Sequence, residues 1–141
     1  MNRTLLQAVT AILALVPVAT GAIGLSGTGD PLYAGSGIPA LPVLDSNMRF
    51  FGGLWIGLGL AMFWLVPTIE KQTVLFRAIW CAIFLGGVGR VLSIVFIGLP
   101  PAPFIGFTAL ELVGAPLFIW WQYRVALSAG LAAHARATPA A

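Results

Sequence analysis

Four long apolar runs constrain this chain more than any other feature of its sequence. They cover residues 5–25, 47–66, 74–97 and 104–121, each with about the 20 residues that cross a hydrocarbon core of roughly 30 Å. Hydrocarbon offers backbone amides no hydrogen-bond partner, so such runs must be helical. With 60% hydrophobic and 8% charged residues, the chain also lacks the polar groups that cover a soluble domain. We predict an all-α membrane protein, a four-transmembrane-helix bundle.

The segments between the runs complete the predicted domain organisation. The whole chain, 1–141, is expected to form one four-helix transmembrane domain. A loop at 26–46, rich in Gly, Pro and Ser, joins the first two spans, and the small residues of 126–141 predict a flexible tail. The loop at 26–46 either covers the outer ends of the helices or re-enters the membrane where protein buries it.

The distribution of charges predicts how the chain is oriented. Four spans bring both termini to one side of the membrane, and that side carries Arg3, Lys71, Arg77, Arg124 and Arg136. The other side carries Asp30, Asp45 and Arg49. The positive-inside rule therefore places both termini in the cytoplasm. The first run also resembles a secretory signal, but it exceeds the usual apolar core of such signals, so we expect it to be retained.

The distribution of charge and the scarcity of metal-ligating residues exclude several functions. The net charge of +3 is scattered along the chain, and no basic stripe indicates a nucleic-acid partner. Cys81 is the only cysteine and His134 the only histidine, so neither a disulfide nor a metal site is expected. The sequence predicts no cofactor.

Two stripes of small residues suggest faces for helix packing. Small residues recur every four positions beside Arg49 in the second run and beside Arg90 in the third. Residues four apart share a helix face, and small faces let helix backbones approach closely. The predicted packing residues are Gly53, Gly57, Ala61, Ala78, Ala82 and Gly86.

An arginine and a glutamate lie within the third and fourth runs. Arg90 and Glu111 each lie about 12 Å from the turn that joins their runs, at a helical rise of 1.5 Å per residue. A charge near the middle of a membrane costs roughly 2.5–3.5 kcal/mol on insertion scales, so each residue needs a partner. We predict that Arg90 and Glu111 form an ion pair.

Asp45 and Arg49 lie one helical turn apart and are expected to join this pair in a cluster near the outer side. The predicted cluster therefore contains two acids and two bases, with the uncharged polar side chains of Asn47, Ser93 and Thr108 nearby. It either fixes the register of the helices or binds the head group of an amphipathic anion or a lipid. No nucleophile with a base beside it is apparent, so no catalytic residue is assigned and an enzyme is the less favoured class.

Four strings carry a family resemblance: Asp45-Ser-Asn-Met-Arg49-Phe-Phe-Gly-Gly53, Phe84-Leu-Gly-Gly-Val-Gly-Arg90-Val-Leu-Ser93, Gly98-Leu-Pro100 and Ala109-Leu-Glu111-Leu. In this order they resemble an uncharacterised bacterial family of four-helix integral membrane proteins, domain-of-unknown-function family 4345. More distantly, the layout is similar to proteins of the DoxX type. The resemblance implies a multi-pass protein of the bacterial inner membrane and brings no catalytic or binding residue with it.

The partners expected at this stage are membrane lipid and an amphipathic small molecule. A second alternative is an accessory subunit without catalytic activity, whose small-residue faces bind a larger membrane complex or a second copy of the chain. A third is a small membrane enzyme that acts at the outer leaflet.

Overall fold

The computed structural model describes residues 2–137, and all regular secondary structure in this part of the protein is helical. Its elements are α1 (Arg3–Gly24), α2 (Pro42–Leu65), α3 (Thr73–Phe96), α4 (Ala102–Ala109), a π-helical segment (Leu110–Gly114) and α5 (Ala115–Ala137). Short 3-10 helices at Gly27–Gly29, Pro31–Tyr33 and Val66–Thr68 complete them, and residues 2–137 contain no strand.

Four helical segments are long and apolar enough to cross a membrane: Arg3–Gly24, Pro42–Thr68, Thr73–Phe96 and Ala102–Ala137. Only 22–28% of the residues in their most apolar windows are buried, so most of their apolar surface is left for lipid. The predicted fold class, an all-α membrane protein with four spans, is confirmed. The cytoplasmic location of both termini stays a prediction.

The second helix begins earlier than the sequence pattern suggested. It starts at Pro42, whereas the apolar run starts at residue 47. Proline suits the first turn of a helix because its φ is already helical and no amide is lost, and Asp45 in the same turn complements the helix dipole. The loop is therefore shorter than the predicted 26–46, and Asp45 lies within the helix.

The last helix continues beyond the predicted fourth span. Residues 126–137, expected to be part of a flexible tail, are helical in α5. They are rich in alanine, which has the highest helix propensity. The rest of the predicted tail, 138–141, lies outside the described residues.

The described chain divides into two compact units, and the prediction that it forms one domain stays a prediction. The N-terminal unit is Gln7–Pro67, and the C-terminal unit contains the described residues up to Leu6 and from Thr68 onward.

Close backbone approach holds α1 and α2 together in the N-terminal unit. A Cβ added to Gly52 would lie 2.9 Å from both Gly21 O and Gly24 C, so only glycine fits there. At the same interface, the Trp55 indole N–H donates to Thr20 Oγ1 at 2.8 Å. Near the other end, Gln7 Nε2 donates to Val66 O at 2.8 Å. Small residues and polar bonds therefore fix this pair of helices, as is usual in membranes.

The predicted packing stripes do not pack within the described chain. Added Cβ atoms at Gly53, Gly57 and Gly86 would meet no atom within 4 Å. Five of the six predicted packing residues are exposed, and the sixth, Ala61, is half-buried. The exposed ones are Gly53, Gly57, Ala78, Ala82 and Gly86. The glycines that allow close approach include Gly52 and Gly87, which adjoin Gly53 and Gly86 in the sequence. The predicted stripes at Gly53 and Gly86 therefore lie one residue from the buried face, which is a rotation of about 100° about the helix axis.

Aromatic rings and one glutamine build the core of the C-terminal unit. Trp80 stacks on Phe118 with ring centroids 4.4 Å apart and an interplanar angle of 5°. The Gln122 side chain is fully buried, and its Nε2 donates to Ile69 O and Thr73 Oγ1, each at 3.0 Å. Gln122 therefore links α5 to the start of α3 through its side-chain N–H groups, while its buried Oε1 has no hydrogen-bond partner among the described residues.

Glu70 connects the turn before α3 to the start of α1. Its Oε2 accepts a hydrogen bond from Arg3 Nε at 2.8 Å. Burial alone would raise the pKa of Glu70, but hydrogen bonds from its own backbone and from Arg3, with the charges of Arg3 and Lys71, lower it below the ordinary value of 4.5. The folded protein therefore favours the ionised carboxylate.

The two neighbouring glycines of α2 provide a matched test of packing. Alanine at either position gains about 1 kcal/mol of intrinsic helix propensity. We expect Gly52→Ala to lower the free energy of unfolding by about 1–3 kcal/mol because its methyl group meets backbone atoms. Gly53→Ala should leave the free energy unchanged or raise it. Reversible unfolding in mixed micelles, followed by circular dichroism, measures both, and equal effects would contradict the packing described.

The lowered pKa of Glu70 predicts a pH-dependent stability. The contribution of a carboxylate with a depressed pKa is fully present above the ordinary value of 4.5 and is lost as the pH falls through the folded pKa. We expect Glu70→Gln to reduce the loss of thermal stability in this acidic range, and Arg3→Gln to do the same. Unfolding temperatures measured in micelles across that range test this, and variants with the slope of the wild type would refute it.

Candidate functional site

The ion pair expected from the sequence within the third and fourth spans is present in the C-terminal unit. Arg90 Nε donates to Glu111 Oε2 at 2.8 Å. The Glu111 side chain is 9% exposed and the Arg90 side chain 36% exposed. The carboxylate is therefore enclosed, whereas part of the guanidinium remains accessible.

Gly87 and the π-helical segment bring the two charges together. A Cβ on Gly87 would lie 2.9 Å from Glu111 Cβ and 3.0 Å from the Leu112 side chain. Because Gly87 lies one turn before Arg90, this close approach sets α3 against the segment that carries Glu111. The segment is Leu110–Gly114, and π turns inside helices are frequent at functional sites.

Two phenylalanine rings flank the guanidinium. The Arg90 Cζ atom lies 5.7 Å from the centroid of Phe104 and 5.9 Å from that of Phe107. The two rings are 6.3 Å apart and nearly perpendicular. Cations are attracted to the faces of aromatic rings, so these rings stabilise a charge that water does not fully solvate.

Arg90 keeps most of its hydrogen-bonding capacity. A guanidinium has five N–H donors in a planar fork. Within the described residues, Nε donates to Glu111 and the terminal nitrogens donate no hydrogen bond. Since 36% of the side chain is exposed, these terminal donors are available to a molecule from outside.

Arg49 is used differently, in the N-terminal unit. Its Nε and Nη2 donate to the two oxygens of Asp45 at 2.7 and 3.2 Å. Nη1 donates to Leu25 O at 2.6 Å and Nη2 to Ser26 O at 3.3 Å, which satisfies carbonyls beyond the end of α1. This fork is therefore engaged by the protein itself.

Asp45 completes this structural clamp between α2 and the loop. Its Oδ1 accepts from the Thr28 backbone N–H at 3.0 Å. Gly27, with φ of +64°, passes so close that a Cβ there would collide with the carboxylate. The sequence analysis anticipated the i,i+4 pair of Asp45 and Arg49 but not its contacts with the loop.

The predicted cluster of four charges is distributed over both units. Asp45 and Arg49 belong to the N-terminal unit, and Arg90 and Glu111 to the C-terminal unit. That all four form one site stays a prediction. Of the polar residues expected nearby, Asn47 and Ser93 are exposed, and the buried Thr108 hydroxyl donates to Phe104 O at 2.8 Å.

Sequence reasoning missed Phe104, Phe107 and Gly87. The two phenylalanines precede Glu111 by seven and four residues, and this spacing places them on its helix face, which was a usable signal. Gly87 was hidden because its neighbour Gly86 continues the regular small-residue stripe. Among residues 2–137, no group of three His, Cys, Asp or Glu side chains is placed to hold a metal ion.

The buried carboxylate predicts an asymmetric pattern of mutational effects. Arg90→Gln leaves Glu111 without its counterion and should cost about 3–5 kcal/mol of stability, as for other broken buried pairs. The double variant Arg90→Gln, Glu111→Gln removes both charges and should be more stable than Arg90→Gln alone. Unfolding free energies in micelles test this as a double-mutant cycle. Additive effects would show that the two side chains do not interact.

Comparison with known proteins agrees with the family resemblance. The family model described as "Domain of unknown function (DUF4345)" matches residues 5–122. No curated protein and no solved structure matches the chain. The more distant likeness to DoxX-type proteins stays a prediction. Because the match covers most of the chain and reaches all four apolar segments, this protein belongs to the DUF4345 family.

Proposed function

We propose that this protein binds the anionic head group of an amphipathic molecule, such as a membrane lipid, at Arg90. The observation that carries the proposal is a partly exposed guanidinium, within an apolar span, whose terminal nitrogens donate no hydrogen bond among residues 2–137. Charged side chains inside membrane spans commonly mark ligand sites.

The surroundings of Arg90 suit such a ligand. Glu111 holds Nε, so the terminal edge of the guanidinium points away from the buried carboxylate and can donate two parallel hydrogen bonds. Phosphate, carboxylate and sulfonate groups accept bonds of this geometry. Exposed apolar side chains such as Val91 and Ile105 lie nearby in the sequence and can contact the ligand's hydrocarbon chain.

Asp45 and Arg49 have a structural role in this proposal. Every nitrogen of the Arg49 fork already has a partner, so a ligand would have to displace the clamp of the loop. Arg90 is therefore the arginine that recognises the ligand, and Glu111 is the residue that positions it.

The location of the protein forms part of the proposal. We place it in the bacterial inner membrane with both termini in the cytoplasm. The excess of basic residues on the side of the termini supports this orientation. The ligand would then approach from the outer leaflet, where the turn between α3 and α4 lies.

A second candidate function is that of an accessory subunit in a larger membrane complex. It is supported by the small residues Ala78, Ala82 and Gly86, which are exposed along one face of α3. A face of this kind permits close helix packing with another membrane protein or a second copy of the chain. An enzyme of the outer leaflet has less support because Ser93, the hydroxyl three residues after Arg90, is exposed and has no hydrogen-bonded base among the described residues.

Native mass spectrometry of the protein released from its own membranes tests the proposal. We expect the wild type to retain an anionic lipid or amphipath, and Arg90→Gln to lose most of it. Arg77→Gln is the matched control, since it removes an exposed arginine from the same helix and should keep the bound mass. The double variant Arg90→Gln, Glu111→Gln controls for unfolding and should also lack the ligand.

Two results would contradict lipid recognition by Arg90. One is equal retention of the small molecule by wild type and Arg90→Gln. The other is a wild-type protein without any bound small molecule. If that protein instead carries a partner of defined larger mass, the accessory function is favoured.

A further inference from the structure

The loop between α1 and α2 contains a buried acid that takes part in none of the ion pairs described above. Asp30 is 5% exposed, and its Oδ1 accepts a hydrogen bond from the Leu32 backbone N–H at 2.8 Å. Asp30 lies in the N-terminal unit, between two short 3-10 helices.

Asp30 differs from the other acids of the chain in having no counterion. Three of the four acidic side chains are ion-paired, namely Asp45, Glu70 and Glu111. Within residues 2–137, no basic nitrogen lies within 4.0 Å of the Asp30 carboxylate. A carboxylate with little access to water favours a cation or further hydrogen bonds, and Asp30 has one such bond.

A cavity that is open to the surface has Asp30 in its lining. Its volume is about 260 Å³, and residues of the segment 28–38 line it, among them Asp30, Pro31, Tyr33 and Ile38. The space exceeds that of a single water, whose share of liquid volume is about 30 Å³. A small organic group therefore fits beside the acid.

We propose that this cavity binds a small organic ammonium group, with Asp30 as its counterion. One buried negative charge matches one ammonium, and the volume accommodates the carbon atoms next to it. Proline, isoleucine and tyrosine in the lining suit those carbons, and aromatic rings also attract ammonium ions. The site is independent of the Arg90 proposal, since its residues belong to the other unit.

A metal ion suits the cavity less well. Calcium takes six to eight oxygen ligands and magnesium requires an octahedron, whereas a single carboxylate lines this space. The described residues also contain no group of three acidic, Cys or His side chains that could hold a metal. An ammonium needs only the carboxylate and a few backbone carbonyls.

The ammonium group has two sources, a free amine or the head group of a lipid such as phosphatidylethanolamine. Both are tested on the full chain in maltoside micelles, with the unfolding temperature as the readout. One arm adds ethanolamine, with sodium and calcium chloride at matched ionic strength. The other arm adds phosphatidylethanolamine to the micelles, with phosphatidylglycerol for comparison.

We expect a saturable rise of the unfolding temperature with one of the two amines and none with the matched salts or phosphatidylglycerol. A response to ethanolamine alone identifies a free amine, and a response to the lipid alone identifies a head group. Asp30→Asn should weaken the apparent affinity at least about tenfold, because the charge-assisted contact is lost. Glu70→Gln, which removes an acid outside the cavity, should respond as the wild type does.

The variants keep the proposal open to refutation. Asparagine at position 30 retains an oxygen that can accept from Leu32 N–H, so the loop should fold. Should Asp30→Asn unfold, Ala34→Phe fills the cavity from an exposed position and should abolish the response. The proposal is overturned if neither amine raises the unfolding temperature, if the matched salts raise it equally, or if these variants respond as the wild type does.

Discussion

Hydrocarbon cannot solvate an isolated charge, and the polar architecture of this protein follows from that constraint. Glu111 is enclosed in the fourth span, so Arg90 must reach it across the space between two helices. That pairing requires close helices, which requires glycine at position 87. The ion pair, the adjacent glycine and the flanking phenylalanines are therefore one arrangement, because removing any of them leaves a charge in an unsuitable environment.

The two arginines of the spans show how the same side chain serves different purposes. All three side-chain nitrogens of Arg49 donate hydrogen bonds to Asp45 or to loop carbonyls, and these bonds fix the connection between α1 and α2. Arg90 donates a hydrogen bond from Nε to Glu111, and its two terminal nitrogens remain accessible. What distinguishes a structural arginine from one that can bind a ligand is how many of its N–H donors are already hydrogen-bonded within the protein, and in which direction. The presence of a charge in a membrane does not distinguish the two.

The spans and the ion pair of Arg90 and Glu111 were predictable from the sequence, because both depend on distances counted along the chain. Apolar length sets the number of spans, and equal distance from a tight turn sets the level of the two charges. Sequence reasoning failed where rotation about the helix axis matters: Gly53 and Gly86 lie one residue from the glycines that pack. It also missed the buried state of Asp30, since the folding of the loop over that carboxylate has no periodic signal.

The length of the fourth helical segment has a practical consequence. Its 36 residues extend about 54 Å at 1.5 Å per residue, well beyond a hydrocarbon core of roughly 30 Å. About 16 residues of helix therefore exceed the membrane thickness, and residues 131–137 are exposed on all sides. A spin label or fluorophore attached at Ala133 would turn rigidly with the segment that carries Glu111. This arm offers a way to follow rotation of the span without altering any residue inside it.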